Sequence, residues 1–215
     1  MICGIDEAGR GPVIGPMVIA GVIVSDDVKL MELGVKDSKR LSPDKRSELF
    51  EEITKIADYC IRVISAEDID SLRRSTSLNK IESNNFASII QELCSEGDIA
   101  YVDSASTDEK RFGLEIKTKV DQDVDIVSKH EADDTYPIVS AASIIAKVRR
   151  DEEVHKISEK IGQDIGSGYP SDMKTRSFLN GWMAENGELP PYTRRSWQTC
   201  KDLINRSKNK SLDDF

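Results

Sequence analysis

Ile2-Cys3-Gly4-Ile5-Asp6-Glu7-Ala8-Gly9-Arg10-Gly11-Pro12, followed by Val13 to Val24, is the stretch on which the reading of this chain turns. Residues 2–6 read as a short strand ending in a carboxylate. Glu7 to Pro12 reads as a turn, and Val13 to Val24, rich in Val and Ile, as a long second strand. Gly15-Pro16 and Gly21 inside that run signal a bulge or a close backbone approach. In the turn, Gly9 and Gly11 permit positive φ and let backbone touch a ligand, Pro12 fixes the exit direction, and Arg10 suits phosphate. The same residues also fit a plain tight turn. Two phosphate-binding lookalikes are excluded. There is no G-x-x-x-x-G-K-[ST], and a β-rich segment follows the glycines where a dinucleotide fingerprint requires a helix.

Outward from this stretch, Ser42-Pro43 starts a helix carrying Leu49, Ile53 and Ile56, with Ser as cap and Pro in the first turn. Tyr59 to Ser65 reads as a strand. Leu78, Ile81, Phe86, Ile89, Ile90 and Leu93 mark one amphipathic helix. Ile99 to Asp103 is a short strand that again ends in Asp, and Val124 to Ser128 is a strand leading into His130-Glu131-Ala132-Asp133-Asp134. Pro137 to Ile161 reads as a long helix with Ile138, Ala141, Ile144, Ile145 and Val148 on its buried side. A loop at Gly166 to Ser171 precedes a helix capped by Ser171 and running to Asn186, and a last helix includes Leu203 and Ile204. Strands alternate with helices at first and helices dominate later, which is an α/β or α+β layer arrangement.

Among the 215 residues, 30 basic and 39 acidic side chains leave a net charge of -9, and 38% are apolar, enough for a core at this length. The longest apolar run, Val13 to Val24, is 12 residues and holds Gly15, Pro16 and Gly21. A membrane span needs about 20, so no membrane association is expected, and with no secretory signal the expected location is cytoplasmic. Cys3, Cys60, Cys94 and Cys200 form no C-x-x-C pair and read as reduced, mostly buried thiols. Charge is uneven. Glu96 to Thr135 carries 12 acidic and 5 basic residues, while Pro190 to Lys210 carries 6 basic residues against Asp202 alone. That pattern fits a metal site near one and phosphate contacts near the other, and equally two solvated faces.

Asp6 and Asp103 close predicted strands, Glu7 adjoins Asp6, and Asp133 follows a third strand. Groups at strand carboxyl ends converge on one sheet edge. Two carboxylates about 4 Å apart repel by about 4 kcal/mol at an effective dielectric of 20, so a cluster needs divalent cations or raised pKa values. Oxygen donors favour Mg²⁺ or Mn²⁺, and with only His130 and His155 present a histidine zinc site is disfavoured. Paired hard cations suit phosphodiester hydrolysis. Surface or capping roles for these acids remain the alternative on spacing alone.

Taken together, Gly4 to Pro12, Val35-Lys-Asp-Ser-Lys-Arg-Leu41, Tyr101-Val-Asp-Ser104, Ala132-Asp133, Tyr136 to Lys147 and Gly166 to Asp172 resemble ribonuclease HII in its archaeal form, over about residues 1–205. The resemblance implies an α/β, ribonuclease H-like mixed central sheet flanked by helices, with a helical C-terminal segment. Its implied organisation is a catalytic domain at 1–165, a helical substrate-binding segment at 166–208 and a flexible tail at 209–215. It implies endonucleolytic cleavage of the RNA strand of RNA–DNA hybrids and of single ribonucleotides embedded in duplex DNA. The cut falls 5′ to the ribonucleotide and leaves 3′-hydroxyl and 5′-phosphate ends. The family's catalytic and metal-holding acids map onto Asp6, Glu7, Asp103 and Asp133, with Asp133 rather than Asp134 at the Ala-Asp position, and Mg²⁺ or Mn²⁺ as cofactor.

By the same resemblance Gly9, Arg10 and Gly11 read the ribose 2′-hydroxyl, the group that separates RNA from DNA. Tyr169 packs on the neighbouring deoxyribose, and Lys39 and Asn79 contact phosphate. Lys147, Arg149 and Arg150 either touch nucleic-acid backbone or solvate their helix, with Asp151 a partner for one of them. His130 is either a support to the site or a structural histidine, and His155 is a surface residue. The tail places Asn209, Leu212 and Phe215 in the register of a sliding-clamp docking motif, with Asn for Gln and one aromatic; a frayed end is the alternative. A monomer is expected. The competing classes are a non-catalytic hybrid-binding module, against which all four acids count, and a small-molecule phosphotransferase, against which the basic C-terminal stretch and Tyr169 count.

Overall fold

The computed structural model describes residues 1–36 and 41–213, those beyond 206 in backbone alone. In chain order the elements are β1 (Ile2–Ala8), β2 (Met17–Val24), α1 (Val28–Leu33), α2 (Pro43–Ile56), β3 (Asp58–Ile64), α3 (Ala66–Leu72) and α4 (Leu78–Leu93). There follow β4 (Ile99–Asp103), α5 (Glu109–Lys117), β5 (Asp125–Lys129), α6 (Ala132–Thr135), α7 (Pro137–Ile161), α8 (Met173–Asn186) and α9 (Gln198–Asp213). They fall into two compact units, one made of Met1–Ala8, Val18–Val63 and Ser77–Arg149, the other of Gly9–Met17, Ile64–Thr76 and Arg150–Phe215.

The first unit holds a mixed sheet in the order β3-β2-β1-β4-β5. β1 lies at its centre. It runs antiparallel to β2 from Ile2↔Val24 to Ala8↔Val18 and parallel to β4 from Ile2↔Ile99 to Ile5↔Val102, and β4 is parallel to β5. Residues of period two share a sheet face, and the two faces of β1 differ. On one, a Cβ at Gly4 would sit 2.3 Å from the Ile138 carbonyl oxygen, so only glycine lets the α7 backbone lie this close. On the other, a Cβ at Gly21, beside Ile5, would sit 2.3 Å from Ile89 and 3.1 Å from Leu93 of α4. α4 in turn packs on α5 through Phe86 and Phe112, with ring centroids 5.6 Å apart.

α7 departs from the expected one-sided pattern. From Pro137 to Ala146 every residue is buried, polar Ser140 and Ser143 included, because this half runs through the core instead of across its surface. Ser140 resolves its own burial by donating to the Val35 carbonyl. The caps follow local chemistry. Ser42 accepts from Lys45 N–H with Pro43 behind it, and Ser77 accepts from Lys80 N–H. α8 is capped by Asp172 instead of Ser171 and ends at Gly187, φ 72°. Short helices α1, α3, α5 and α6 were not foreseen.

β1 continues to Ala8, so Asp6 does not end it. β2 begins only at Met17, and residues 9–16 form a loop with a single bridge, Ile14 to Thr193. That loop belongs to the second unit. Val13 N–H donates to Gly168 O (2.8 Å), Gly15 N–H to Tyr192 O (3.0 Å) and Arg194 N–H to Val13 O (2.8 Å). Asp70 of α3 accepts from the backbone of Arg195 and Ser196. These bonds give the second unit two early segments and displace the division from the expected boundary at 165. Its core gathers Val13, Ile14, Val154, Ile157, Phe178 and Leu179 with their neighbours. The backbone of α9 is helical through Asp213, where a flexible tail from 209 was expected. Among the described residues no helix is long and apolar enough to cross a membrane, and all four cysteines are free and buried, as expected.

Gly4→Ala is expected to lower stability by about 3 kcal/mol or more, because the new methyl meets backbone that cannot move aside. Urea unfolding measures this; an unchanged midpoint would mean that β1 and α7 do not touch at Gly4.

Candidate active site

The carboxylate site lies in the first unit. Register and pleat place Asp6 on the face of Gly4, toward α7, and the parallel pairing Ile5↔Val102 brings Asp103 alongside it at the end of β4. Asp103 Oδ1 accepts from Ala132 N–H at 2.8 Å, fixing the start of α6 against the strand end. Glu131, at φ 50°, makes the turn that presents Asp133 in the first turn of that helix. Asp6 and Asp133 are 4% and 5% exposed. Burial drives the Asp6 carboxyl up to about 7, and the charges of Asp103 and Asp133 add to the rise; the Ser143 hydroxyl and the Lys147 ammonium oppose it. Lys147 Nζ lies 4.0 Å from Asp133 Oδ2 and donates to Ser143 Oγ at 2.6 Å. Glu7 stands next to Asp6, and its N–H donates to Asp6 Oδ1 at 2.7 Å. Glu7 lies within β1, one residue before the strand ends at Ala8.

Asp6 thus feels the charges of both Asp103 and Asp133. Among the described residues, no three His, Cys, Asp or Glu side chains stand close enough to hold an ion as placed. The acids are near enough to repel, and each of Asp6, Asp103 and Asp133 faces a protein donor or cation. The donor set, all carboxylate oxygen around a buried acid pushed to about 7, is the kind a hard divalent cation neutralises. The residues present therefore fit such ions by chemistry.

A second cluster lies in the other unit, around the Gly9-Arg10-Gly11 turn. Arg194 is fully buried and donates from Nε to Gly15 O (3.0 Å), from Nη1 to Arg10 O (2.9 Å) and from Nη2 to Gly9 O (2.6 Å). Burial, with the neighbouring Arg150 charge, pulls its pKa down to about 9. The C=O and N–H of a trans peptide point in opposite directions. Drawing the Gly9 and Arg10 carbonyls onto Arg194 therefore turns the Arg10 and Gly11 N–H groups away from it. Gly9 has φ 81°, and a Cβ there would meet the Pro16 carbonyl at 2.7 Å. A Cβ on Gly11 would lie 3.6 Å from the Tyr169 ring. Tyr169 is 37% exposed and rests on the Arg150 guanidinium, 5.0 Å from its ring centroid.

Of the basic residues expected to contact nucleic acid or to solvate α7, Lys147 faces Asp133, while Arg150 is buried, bonded to Ser167 O and Asp151. Both act inward. His130 takes a structural part: its Nδ1 lies 3.0 Å from Ser104 O and its N–H donates to Glu109. His155 is exposed beside Glu159. Asn79 sits half-buried in the first turn of α4. Lys39 and Phe215 lie outside the described residues, and Asn209 and Leu212 are described only as backbone of α9. Sequence reasoning missed Ser143 and Arg194. Arg194 sits in a basic run, and nothing local separates a buried arginine there from its exposed neighbours.

The Asp6 carboxyl holds its proton more tightly folded than unfolded, so its cost to stability is absent below about pH 4 and grows as pH rises toward 7. In chelator, Asp6→Asn is expected to stabilise the protein by about 2–4 kcal/mol at pH 8 and by nothing at pH 4. Urea unfolding at the two pH values reads the difference; equal midpoints at pH 8 would contradict it.

Comparison with known proteins aligns with this arrangement. The family model described as Ribonuclease HII matches residues 3–200. The ribonuclease HII of Thermococcus onnurineus is 47% identical over 225 residues, covering 100% of this chain and 98% of that protein. Among solved structures, ribonuclease H2 from Pyrococcus horikoshii is similar with a TM-score of 0.89 and 41% identity, over 96% of this chain and 98% of that one. The PCNA:RNase HII complex from Archaeoglobus fulgidus matches with a TM-score of 0.87 and 45% identity, over 100% of both chains.

Proposed function

This chain belongs to the ribonuclease HII family, with a ribonuclease H-like fold and ribonuclease H hydrolase activity, and from that premise we propose that it cuts RNA–DNA hybrids and single ribonucleotides in duplex DNA by a two-metal hydrolysis. The cut falls 5′ to the ribonucleotide and leaves 3′-hydroxyl and 5′-phosphate ends. The observation that carries the reading is the buried Asp6 carboxyl, pushed to about 7 by burial and by Asp103 and Asp133. The family is divalent-metal dependent. Asp6, Glu7, Asp103 and Asp133 would hold Mg²⁺ or Mn²⁺. Bound there, such ions supply charge that activates water and stabilises the leaving oxygen.

The chain's own groups do the rest. Asp6, buried on the central strand, would lend its carboxylate to holding the ions. Lys147 and Ser143 hold Asp6 and Asp133 in position through charge and hydrogen bonds. The Arg10 and Gly11 N–H groups, turned outward by Arg194, read the 2′-hydroxyl, which DNA lacks. Tyr169, stiffened by Arg150 beneath it, packs on the deoxyribose at the RNA-to-DNA junction. Lys39 and Asn79 contact phosphate. Asn209, Leu212 and Phe215 dock a sliding clamp, a reading supported by the Archaeoglobus relative's structure with PCNA.

Asp103→Asn keeps an oxygen for Ala132 N–H while removing the charge. Cleavage of a hybrid with Mg²⁺ or Mn²⁺ is expected to fall by roughly a thousandfold or more, with hybrid affinity nearly unchanged; wild-type turnover would refute the assignment. Deleting residues 209–215 is expected to abolish pull-down by the clamp and to leave cleavage without the clamp intact. Retained clamp binding would exclude the tail.

A further inference from the structure

In the second unit a groove of about 650 Å³ is walled by Ser71 of α3, by Arg74 just beyond it and by Pro190, Tyr192, Arg195 and Ser196 before α9. Arg73, Arg74 and Arg195 are exposed, and among the described residues none of the three guanidinium groups has an ion-pair partner. Two acids also line the groove. The Asp70 carboxylate is already engaged, accepting from Arg195 N–H (2.6 Å), Ser196 N–H (3.0 Å) and Ser196 O–H (2.6 Å). Glu67 is the other. The wall is thus stapled in place by backbone at 195 and leaves the Arg195 side chain out of the staple. Arg73 stacks over Trp197, 5.4 Å from its ring centroid, and Trp197 Nε1 donates to Gly11 O at 3.3 Å. Arg73 is therefore linked through Trp197 to the turn assigned above to ribose recognition, and its sequence neighbour Arg74 lines the groove with Arg195.

Guanidinium groups that make no ion pair repel one another, although a chain of net charge -9 has acids in excess that could have paired them. Guanidinium forks held at a groove suit the oxygens of phosphodiesters, which they bind bidentately. We propose that Arg73, Arg74 and Arg195 form a phosphodiester subsite that holds the nucleic-acid strand where it runs on from the Gly9-Arg10-Gly11 turn. This rests on the nuclease reading above for its ligand. The subsite binds backbone and carries no chemistry, so it acts on affinity and leaves the scissile step alone.

The test uses the full chain and a labelled RNA–DNA hybrid, with binding followed by anisotropy in chelator across a range of salt and cleavage followed separately with Mg²⁺. For the double variant Arg74→Ala/Arg195→Ala, Kd is expected to rise about tenfold or more, and the slope of log affinity against log salt to shrink by about one per lost contact. KM rises by a similar factor while kcat moves less than about twofold. Arg195→Lys keeps most of the salt slope, and Glu67→Gln tightens binding about twofold by removing a like charge from the phosphate path. A wild-type salt slope and Kd in the double variant overturn the subsite while leaving the nuclease reading standing. Wild-type binding without cleavage overturns the nuclease reading, and the slope still decides the subsite. A wild-type chain that binds no hybrid overturns both.

Discussion

The close approach of α7 to β1 at Gly4 is the constraint on which the carboxylate site depends. A helix backbone can lie this near a strand only where the strand offers no side chain, and the glycine stands two residues before Asp6 on the same face. That spacing faces Asp6 toward the helix that carries Ser143 and Lys147. It also explains why the first half of α7 is buried on every side. A central helix pressed against a central strand has no solvent face, and its polar side chains must be spent on partners inside, as Ser140 is on Val35 O and Ser143 on Lys147.

The site is built at an energetic cost. Asp6 ionises only near pH 7 because water is excluded and two like charges stand close. Groups that cost stability in this way cluster at functional sites. Arg194 solves a different problem within its own unit. A turn of glycines has no side chains to hold it, so its carbonyls are held instead by one guanidinium whose planar fork reaches Gly9, Arg10 and Gly15 together. The depressed pKa, about 9, records the cost of burying that charge beside the charge of Arg150.

Much of this could be read before any coordinates. β4 and α7 occupy the expected ranges, and α2, α4 and α8 start and stop within a residue or two, because caps, prolines and hydrophobic periodicity are local signals. The ribonuclease H-like mixed sheet and the helical C-terminal segment were expected and are present. The short helices α1, α3 and α6 are too brief to show a period, and Val13–Pro16 reads as strand because a β-rich composition does not reveal where backbone pairing starts.

Local chemistry in the chain therefore determined the elements, the acids at or beside strand ends and the glycine turn. Tertiary structure alone decided that α7 supplies Ser143 and Lys147 to the acids, that residues 9–17 belong with the C-terminal helices, and that Arg194 faces inward while Arg195 faces out. Each of these is a pairing between residues distant in sequence, such as Arg194 with Gly9 or Asp70 with Ser196. Adjacent arginines are chemically identical on paper; which one is buried depends on carbonyls brought up from the opposite end of the chain.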